Sequence, residues 1–416
     1  HKVNRIHFIL ILYVCTMIKS FKYRLNPTKG QIIQMKKTFG CCRYIYNWAL
    51  DLKIKAYQES KRSLSAVDLC KELTLLKQRE DYFWLKEVSS ESLQQSIRCL
   101  DSAFTKFFRE HTGFPKFKSK HRDNPTFKNI NSVKIDFENS KIKIPILGWV
   151  KFYKNRSFEG KIGTITVSKS STGKYYVSVL VEDGNSLPEK NLITFSTSVG
   201  IDVGLKDFAV LSNGQVFQNP KYLEKSSKRL ACLQRRLSRK KKGSDRYKKA
   251  KLAVAICHER IKNRRQDFLH KVSKRIISEN QTVIIEDLNV EGMLKNHCLA
   301  KSISSVAWNE FFRMLQYKAE WNGVNLIRIG RFEPSSKMCS CGYTNKDLKL
   351  SDRRWICPCC GSENDRDLLA AQNIKKFGLE KQNLLSQENI SPVVNRVGDA
   401  ELPTFVGTVK RQIISV

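Results

Sequence analysis

Three carboxylates stand where chemistry would need them. Asp202 follows the short apolar run Ser198-Val199-Gly200-Ile201, Glu286 follows Val283-Ile284-Ile285, and Asp367 lies in Asp365-Arg366-Asp367-Leu368-Leu369-Ala370-Ala371, a stretch that reads as the opening of a helix. A strand that looks buried does not end in an unpaired charge without cost, and a shared cation is one partner that removes it. Hard divalent ions such as Mg2+ take oxygen ligands. Two of them bridged by carboxylates supply both an activated water and a stabilised leaving oxygen for phosphodiester hydrolysis. Taken singly, each acid could merely cap a strand or a helix N-terminus, and spacing alone does not show that the three meet.

The second cluster is sulfur. Cys339-Ser340-Cys341-Gly342 and Cys357-Pro358-Cys359-Cys360-Gly361 are two cysteine knuckles, with fifteen residues separating Cys341 from Cys357. Paired knuckles of this kind present four thiolates to a structural Zn2+ in a zinc ribbon, with Cys339, Cys341, Cys357 and Cys360 as the expected ligands. The first knuckle is one residue short of C-x-x-C, which leaves an empty site open as the alternative, with Cys359 either spare or a substitute ligand. Four thiolates leave no open position, so the role expected is structural. His111, His121, His258, His270 and His297 are scattered, and no Gly-rich phosphate loop is present, so neither a histidine base nor ATP use is expected.

The chain has 416 residues with 75 Lys+Arg against 39 Asp+Glu, a formal charge of +36. Its length calls for two or three domains. Its charge calls for a polyanion, nucleic acid above all, because the cations are spread along the chain rather than set beside an apolar helix at a membrane. Thirteen cysteines, five of them between Cys339 and Cys360, point to a metal in a reducing compartment rather than to disulfides. The apolar run Phe8–Cys15 is too short to span a bilayer and no small-residue cleavage site follows it. Translation is expected to begin at Met17, making residues 1–16 a non-native upstream extension.

The elements that must position these groups follow from periodicity. Phe21-Lys22-Tyr23-Arg24-Leu25 alternates as a strand, and helical spacing then runs from Gln31 to about Phe108. Period-two runs return from Lys134 to Glu182, with a hairpin turn at Ser171-Thr172-Gly173-Lys174. The expectation is a small antiparallel barrel (17–30 and 125–190), closed by the early strand, with a helical lobe (31–124) inserted into it. An α/β layer with a mixed sheet occupies 193–338 and 362–380, interrupted at 339–361 by the cysteines, and 381–416 is a flexible tail. Two stretches look suited to nucleic acid. Phe114, Lys116, Phe117 and Lys118 alternate rings with cations, and Arg235, Arg236, Arg239, Lys240, Lys241 and Lys242 form a one-signed run before Gly243 that a phosphate backbone would relieve. A plain basic loop is the alternative for the first.

Gly200-Ile201-Asp202-Val203-Gly204-Leu205-Lys206, Ile285-Glu286-Asp287-Leu288, Gly330-Arg331-Phe332-Glu333-Pro334-Ser335-Ser336-Lys337 with the cysteines after it, and Asp365 through Ile374 together resemble TnpB (OrfB), the insertion-sequence family related to type V CRISPR effectors. The resemblance runs from Met17 to about Gly378. It implies an RNA-guided DNA endonuclease: a wedge β-barrel with an inserted helical recognition lobe, then a RuvC-like nuclease domain of RNase H fold with an inserted zinc ribbon. It implies Asp202, Glu286 and Asp367 as catalytic ligands of two Mg2+ ions, and as partners a guide RNA from the transposon end and double- and single-stranded target DNA beside a short motif. A monomer or weak dimer on RNA, prokaryotic, cytoplasmic and nucleoid-associated, would follow. Leu369 stands where the family usually has Asn. Two rival functions are a guided DNA-binding regulator that no longer cuts and a transposase in the literal sense.

Overall fold

The computed structural model describes residues 16–388 apart from 332, 350 and 351, with side chains described to 382. The expected upstream extension (except Thr16), Phe332 and the tail beyond Glu388 therefore lie outside the described residues. The chain divides into two compact units at Ser186/Leu187.

In the first unit, β1 (Thr16–Asn26) leads into α1 (Lys29–Ser60), α2 (Ala66–Leu76), a 3-10 helix (Glu80–Glu87) and α3 (Ser90–Glu110). Pro27 ends the strand and Thr28 starts the helix. The Thr28 hydroxyl accepts from the Gln31 amide at 3.3 Å while the Gln31 side chain accepts from the Thr28 amide at 3.0 Å. Strands β2 (Thr126–Asn129), β3 (Lys134–Asp136), β4 (Lys141–Ile144), β5 (Gly148–Tyr153), β6 (Lys161–Lys169) and β7 (Tyr175–Ser186) complete an antiparallel sheet in the order β2-β6-β7-β1-β5-β4-β3. The early strand does not close this sheet from an edge. It is the centre, paired with β7 along its length and with β5 through Arg24, Leu25 and Asn26. Among the described residues no ladder joins β2 to β3, so hydrogen bonding leaves the sheet open where a closed barrel was expected. Alternation along β1 buries Tyr23 and Leu25 and leaves Lys22 and Arg24 outside. The buried face shares one apolar core with Met35, Ile45 and Leu50 of α1 and with Leu93, Ile97 and Leu100 of α3.

In the second unit, β8 (Ser198–Val203), β9 (Asp207–Leu211) and β10 (Val216–Gln218) form a meander. A helical hairpin follows, α4 (Tyr222–Ser238) and α5 (Asp245–Glu279), then β11 (Thr282–Glu286). Short helices α6 (Val290–Met293) and α7 (Ala300–Val306) precede α8 (Trp308–Trp321) and β12 (Asn325–Ile329). The sheet order is β10-β9-β8-β11-β12, with β8, β11 and β12 parallel and β8, β9 and β10 antiparallel, so it is mixed as expected. A small hairpin, β13 (Arg354–Ile356) and β14 (Glu363–Asp365), then leads into α9 (Arg366–Glu388). This helix runs eight residues into the span 381–416 that was expected to be a flexible tail.

Two close approaches set the position of α9. A Cβ on Gly200 would collide with the Ala371 carbonyl and lie 2.6 Å from the Lys375 amide, and one on Gly378 would strike the Ile284 side chain. Glycine at these places lets the helix lie directly on β8 and β11. On the sheet, Phe208 of β9 meets Phe268 of α5 and Phe311 of α8 edge-on, at 5.0 and 4.9 Å between centroids. Gly200→Ala should therefore push α9 off the sheet. A loss of about 1–3 kcal/mol in urea unfolding is expected, and an unchanged midpoint would show that the contact is not tight.

Candidate metal-dependent active site

Asp202 and Glu286 leave neighbouring parallel strands at the same end. The last paired residues of the β8–β11 ladder are Ile201 and Ile285, and each acid is the next residue on its strand. Because both steps are equal, both carboxylates fall on one side of the sheet. The third acid arrives with α9. Asp365 caps that helix, accepting from the amides of Asp367 and Leu368 at 3.1 Å each, which leaves the Asp367 carboxylate in the first turn free for other partners. The neighbouring acid Asp287 is engaged elsewhere, with Arg331 at 3.5 Å and Arg328 at 3.9 Å.

The charges of the other two acids are felt at Asp202. Burial pushes the Asp202 carboxyl up to about 7, and the negative charges of Asp367 and Glu286 push in the same direction, opposed by Arg366 and Arg353. Burial also raises Glu286. A carboxyl held up in this way would accept a divalent cation, which offsets the neighbouring negative charge and is held by hard oxygen donors. The donor set fits Mg2+ in that sense. Asp367 is otherwise occupied: Nη1 of Arg353, just before β13, donates to its two carboxylate oxygens at 2.8 and 2.7 Å. Spacing gave no hint of Arg353; it lies in Asp352-Arg353-Arg354-Trp355, a basic stretch like many others in this chain.

The cysteines are brought closer. Among the described residues, the group whose ligand atoms all lie within 4.8 Å of one another is Cys339, Cys341, Cys357 and Cys360. The pairs Cys339–Cys360 and Cys341–Cys357 stand at 3.7 and 3.6 Å between sulfurs. The short first knuckle closes as the second does. The Gly342 amide donates to the Cys339 carbonyl at 2.9 Å and the Gly361 amide to that of Cys357 at 2.8 Å, with both glycines at positive φ, 92° and 69°. One residue fewer tightens the loop without moving Cys341 out of reach, so the residues fit a tetrahedral zinc site. Cys359 is exposed and outside the quartet. Ser362 places its hydroxyl 3.3 Å from Cys339 and 3.1 Å from Cys360, as a supporting donor to thiolates would.

Two further residues join this hairpin to the acids. Leu369, the departure from the family's Asn, is buried with Cys339, Cys357 and Trp355, so an apolar side chain seals the hairpin against α9. Asn373, also buried, donates to the carbonyls of Ser335 and Met338 at 2.7 and 2.6 Å, holding the turn that enters the first knuckle.

The residues expected to meet nucleic acid separate into two kinds. Arg235, Arg236, Arg239, Lys240, Lys241 and Lys242 are all exposed at the tip of the α4–α5 hairpin. Phe114 and Phe117 are about half exposed at 47% and 48%, and Phe114 rests edge-on against Phe104 and Phe107. Lys116 points outward, but Lys118 does not: its ammonium lies 3.8 Å from the centroid of the Tyr46 ring, and the Asn47 side chain pairs with both its backbone amide and its carbonyl. Lys118 anchors this loop to α1.

With the geometry in view, comparison with known proteins is decisive. A protein from Streptomyces pristinaespiralis is 40% identical over 365 residues, covering 87% of this chain and 89% of its own. Another from Escherichia coli K12, InsQ, is 33% identical over 376 residues, covering 87% and 92%. Both carry the name "Putative RNA-guided DNA endonuclease". The chain belongs to the TnpB family. Its family profiles agree: "Probable transposase" of the OrfB type matches residues 178–297, a "Cas12f1-like, TNB domain" matches 308–374, and a "Helix-turn-helix domain" matches 17–62. In this TnpB-family chain residues 17–62 form strand β1 and one long helix, α1. The fold is similar to that of Cas12f1 in a complex with single-guide RNA and target DNA, with a TM-score of 0.51 at 15% identity over 83% of this chain and 82% of that one. Among the described residues no helix is long and apolar enough to cross a membrane.

Two outcomes are expected of this site. The folded, metal-free chain keeps a proton on Asp202 over the window from 3.8 to about 7 that the unfolded chain has already released. Its stability should therefore fall as pH rises through that window, and Asp202→Asn should flatten the trend in chemical denaturation. Purified protein should carry one zinc per chain by elemental analysis, and Cys357→Ser should lose it together with part of the thermal stability.

Proposed function

We propose that the chain is a divalent-metal-dependent, RNA-guided DNA endonuclease that cuts target DNA beside a short motif. The observation that carries this reading is the upward displacement of Asp202 by burial and by two further acids, because a nuclease must collect such charge in one place before a cation can use it. The sheet order β10-β9-β8-β11-β12 with α9 laid across it supports a RuvC-like domain of RNase H type, and the central β1 sheet supports a wedge domain with α1–α3 as the recognition lobe. Bound at Asp202, Glu286 and Asp367, Mg2+ would supply Lewis-acid stabilisation of the phosphate and an activated water.

The chain's own residues do the rest. Asp202 and Glu286, fixed on rigid strands, set the position of that charge, and α9 brings Asp367 to it. Nη1 of Arg353 donates to both oxygens of the Asp367 carboxylate and so holds that side chain in place. The zinc hairpin is structural and carries Arg353. The exposed cations at the α4–α5 tip and the Phe114–Phe117 loop face the RNA and the heteroduplex, while base pairing supplies sequence recognition. The relatives' printed names support the RNA and DNA partners; a monomer on RNA is the simplest arrangement.

The Arg353–Asp367 pair also favours a second reading, guided DNA binding without cutting, in which the third acid stays permanently neutralised. Purification with RNA from the transposon end, followed by a cleavage assay in Mg2+, separates the two. RNA-dependent cleavage that falls more than about a hundredfold in each of Asp202→Ala, Glu286→Ala and Asp367→Ala is expected. Guided binding with intact DNA in wild type would establish the regulator.

A further inference from the structure

We propose that a cationic cleft beside the acids is a phosphate-binding track that holds the DNA strand being cut. The inference rests on the nuclease reading and assigns residues that the catalytic trio does not include. The cleft, of about 480 Å3, is lined by Lys206, Lys221, Lys301 and Arg353, with the hydroxyls of Ser302 and Ser305 between them. Two of its lining residues are linked to the acids. Lys206 follows Asp202 by four residues, and Arg353 is the residue that pairs with Asp367.

Part of its charge is not spent within the protein, although Arg353 is committed to Asp367. Among the described residues Lys206 and Lys301 have no carboxylate partner, and the single acid in the lining, Glu224, stands 3.9 Å from Lys221. Like charges gathered around a concavity repel, and a phosphodiester backbone turns that repulsion into binding. Hydroxyls set among cations are the further donors that phosphate oxygens take.

The walls are also built rather than left loose. Lys221 is held in the left-handed region at φ 49° and ψ 43°, a conformation that costs energy for a residue with a side chain. Asn219 imposes it: its side-chain oxygen accepts from the Lys221 amide at 3.0 Å and its nitrogen donates to the Leu205 carbonyl at 2.7 Å. That one side chain ties the loop carrying Lys221 to the segment carrying Lys206. On the opposite wall Arg265 donates to the carbonyls of Ser304 and Ser305, both at 3.3 Å, and so seats α7 with Lys301 and Ser302. Strain and dedicated hydrogen bonds converge on the position of exposed lysines, which a merely solvated surface does not require.

The occupant is a polynucleotide strand presenting phosphates, and its direction toward Asp202 and Asp367 selects the DNA strand under attack over the guide. The test pairs Lys221→Ala/Lys301→Ala with target strands carrying single neutral methylphosphonates at successive positions around the cut. Cleavage rate is read in the otherwise wild-type protein, and affinity for the guided target in an Asp202→Ala background. In wild type, one or two positions should slow cleavage roughly tenfold and weaken binding. In the lysine variant the same positions should cost nothing further, because the partner charge has gone. Additive losses in both readouts would overturn the track, as would a coupling found only with methylphosphonates in the guide RNA. A chain that never cuts but shows the coupling in affinity would keep the track and refute the nuclease reading.

Discussion

Burial of the Asp202 carboxyl, with the negative charges of Asp367 and Glu286 acting on it, is the constraint on which the proposed site depends. A carboxyl raised to about 7 is held partly protonated by its neighbours and by burial. Nothing in a fold gains from such a group unless a cation or a reaction uses it. The parallel pairing of β8 with β11 aligns two of the acids, and Gly200 lets α9, which carries Asp367, lie close against β8. Absence of side-chain bulk at a single backbone position thus lets a helix pack directly on the strand that carries Asp202.

The cysteine hairpin extends the same dependence. Its four sulfurs, its left-handed glycines and the apolar seal of Trp355 and Leu369 hold β13 and β14 against α9, and Arg353 reaches Asp367 from that hairpin. A structural zinc would therefore act on the acids at one remove, by fixing the cation that competes for the third carboxylate. Leu369 is compatible with this arrangement because the position faces the hairpin's apolar interior and not the acids.

Much of this was legible in the sequence for a physical reason. Cysteines at knuckle spacing are a local pattern, and alternation exposes strands wherever one face is buried, so the mixed sheet and the cysteine cluster could be anticipated. What escaped were relations between distant segments. Nothing local distinguishes Arg353 from other arginines in a chain of formal charge +36, because its role depends on a contact fourteen residues away across a hairpin. Alternation places β1 in a sheet but not at its centre, since strand order is set by long-range pairing. Lys118 alternates with phenylalanines as a phosphate ligand would, yet Tyr46 and Asn47, far back on α1, take it inward.

That the three acids form one shared divalent site is tested most directly by titrating the protein with Mn2+ under electron paramagnetic resonance, wild type against Glu286→Gln. A spin-coupled manganese pair in wild type that is absent from the variant is the predicted result. Spectra that are the same in both proteins would contradict a site built from these carboxylates.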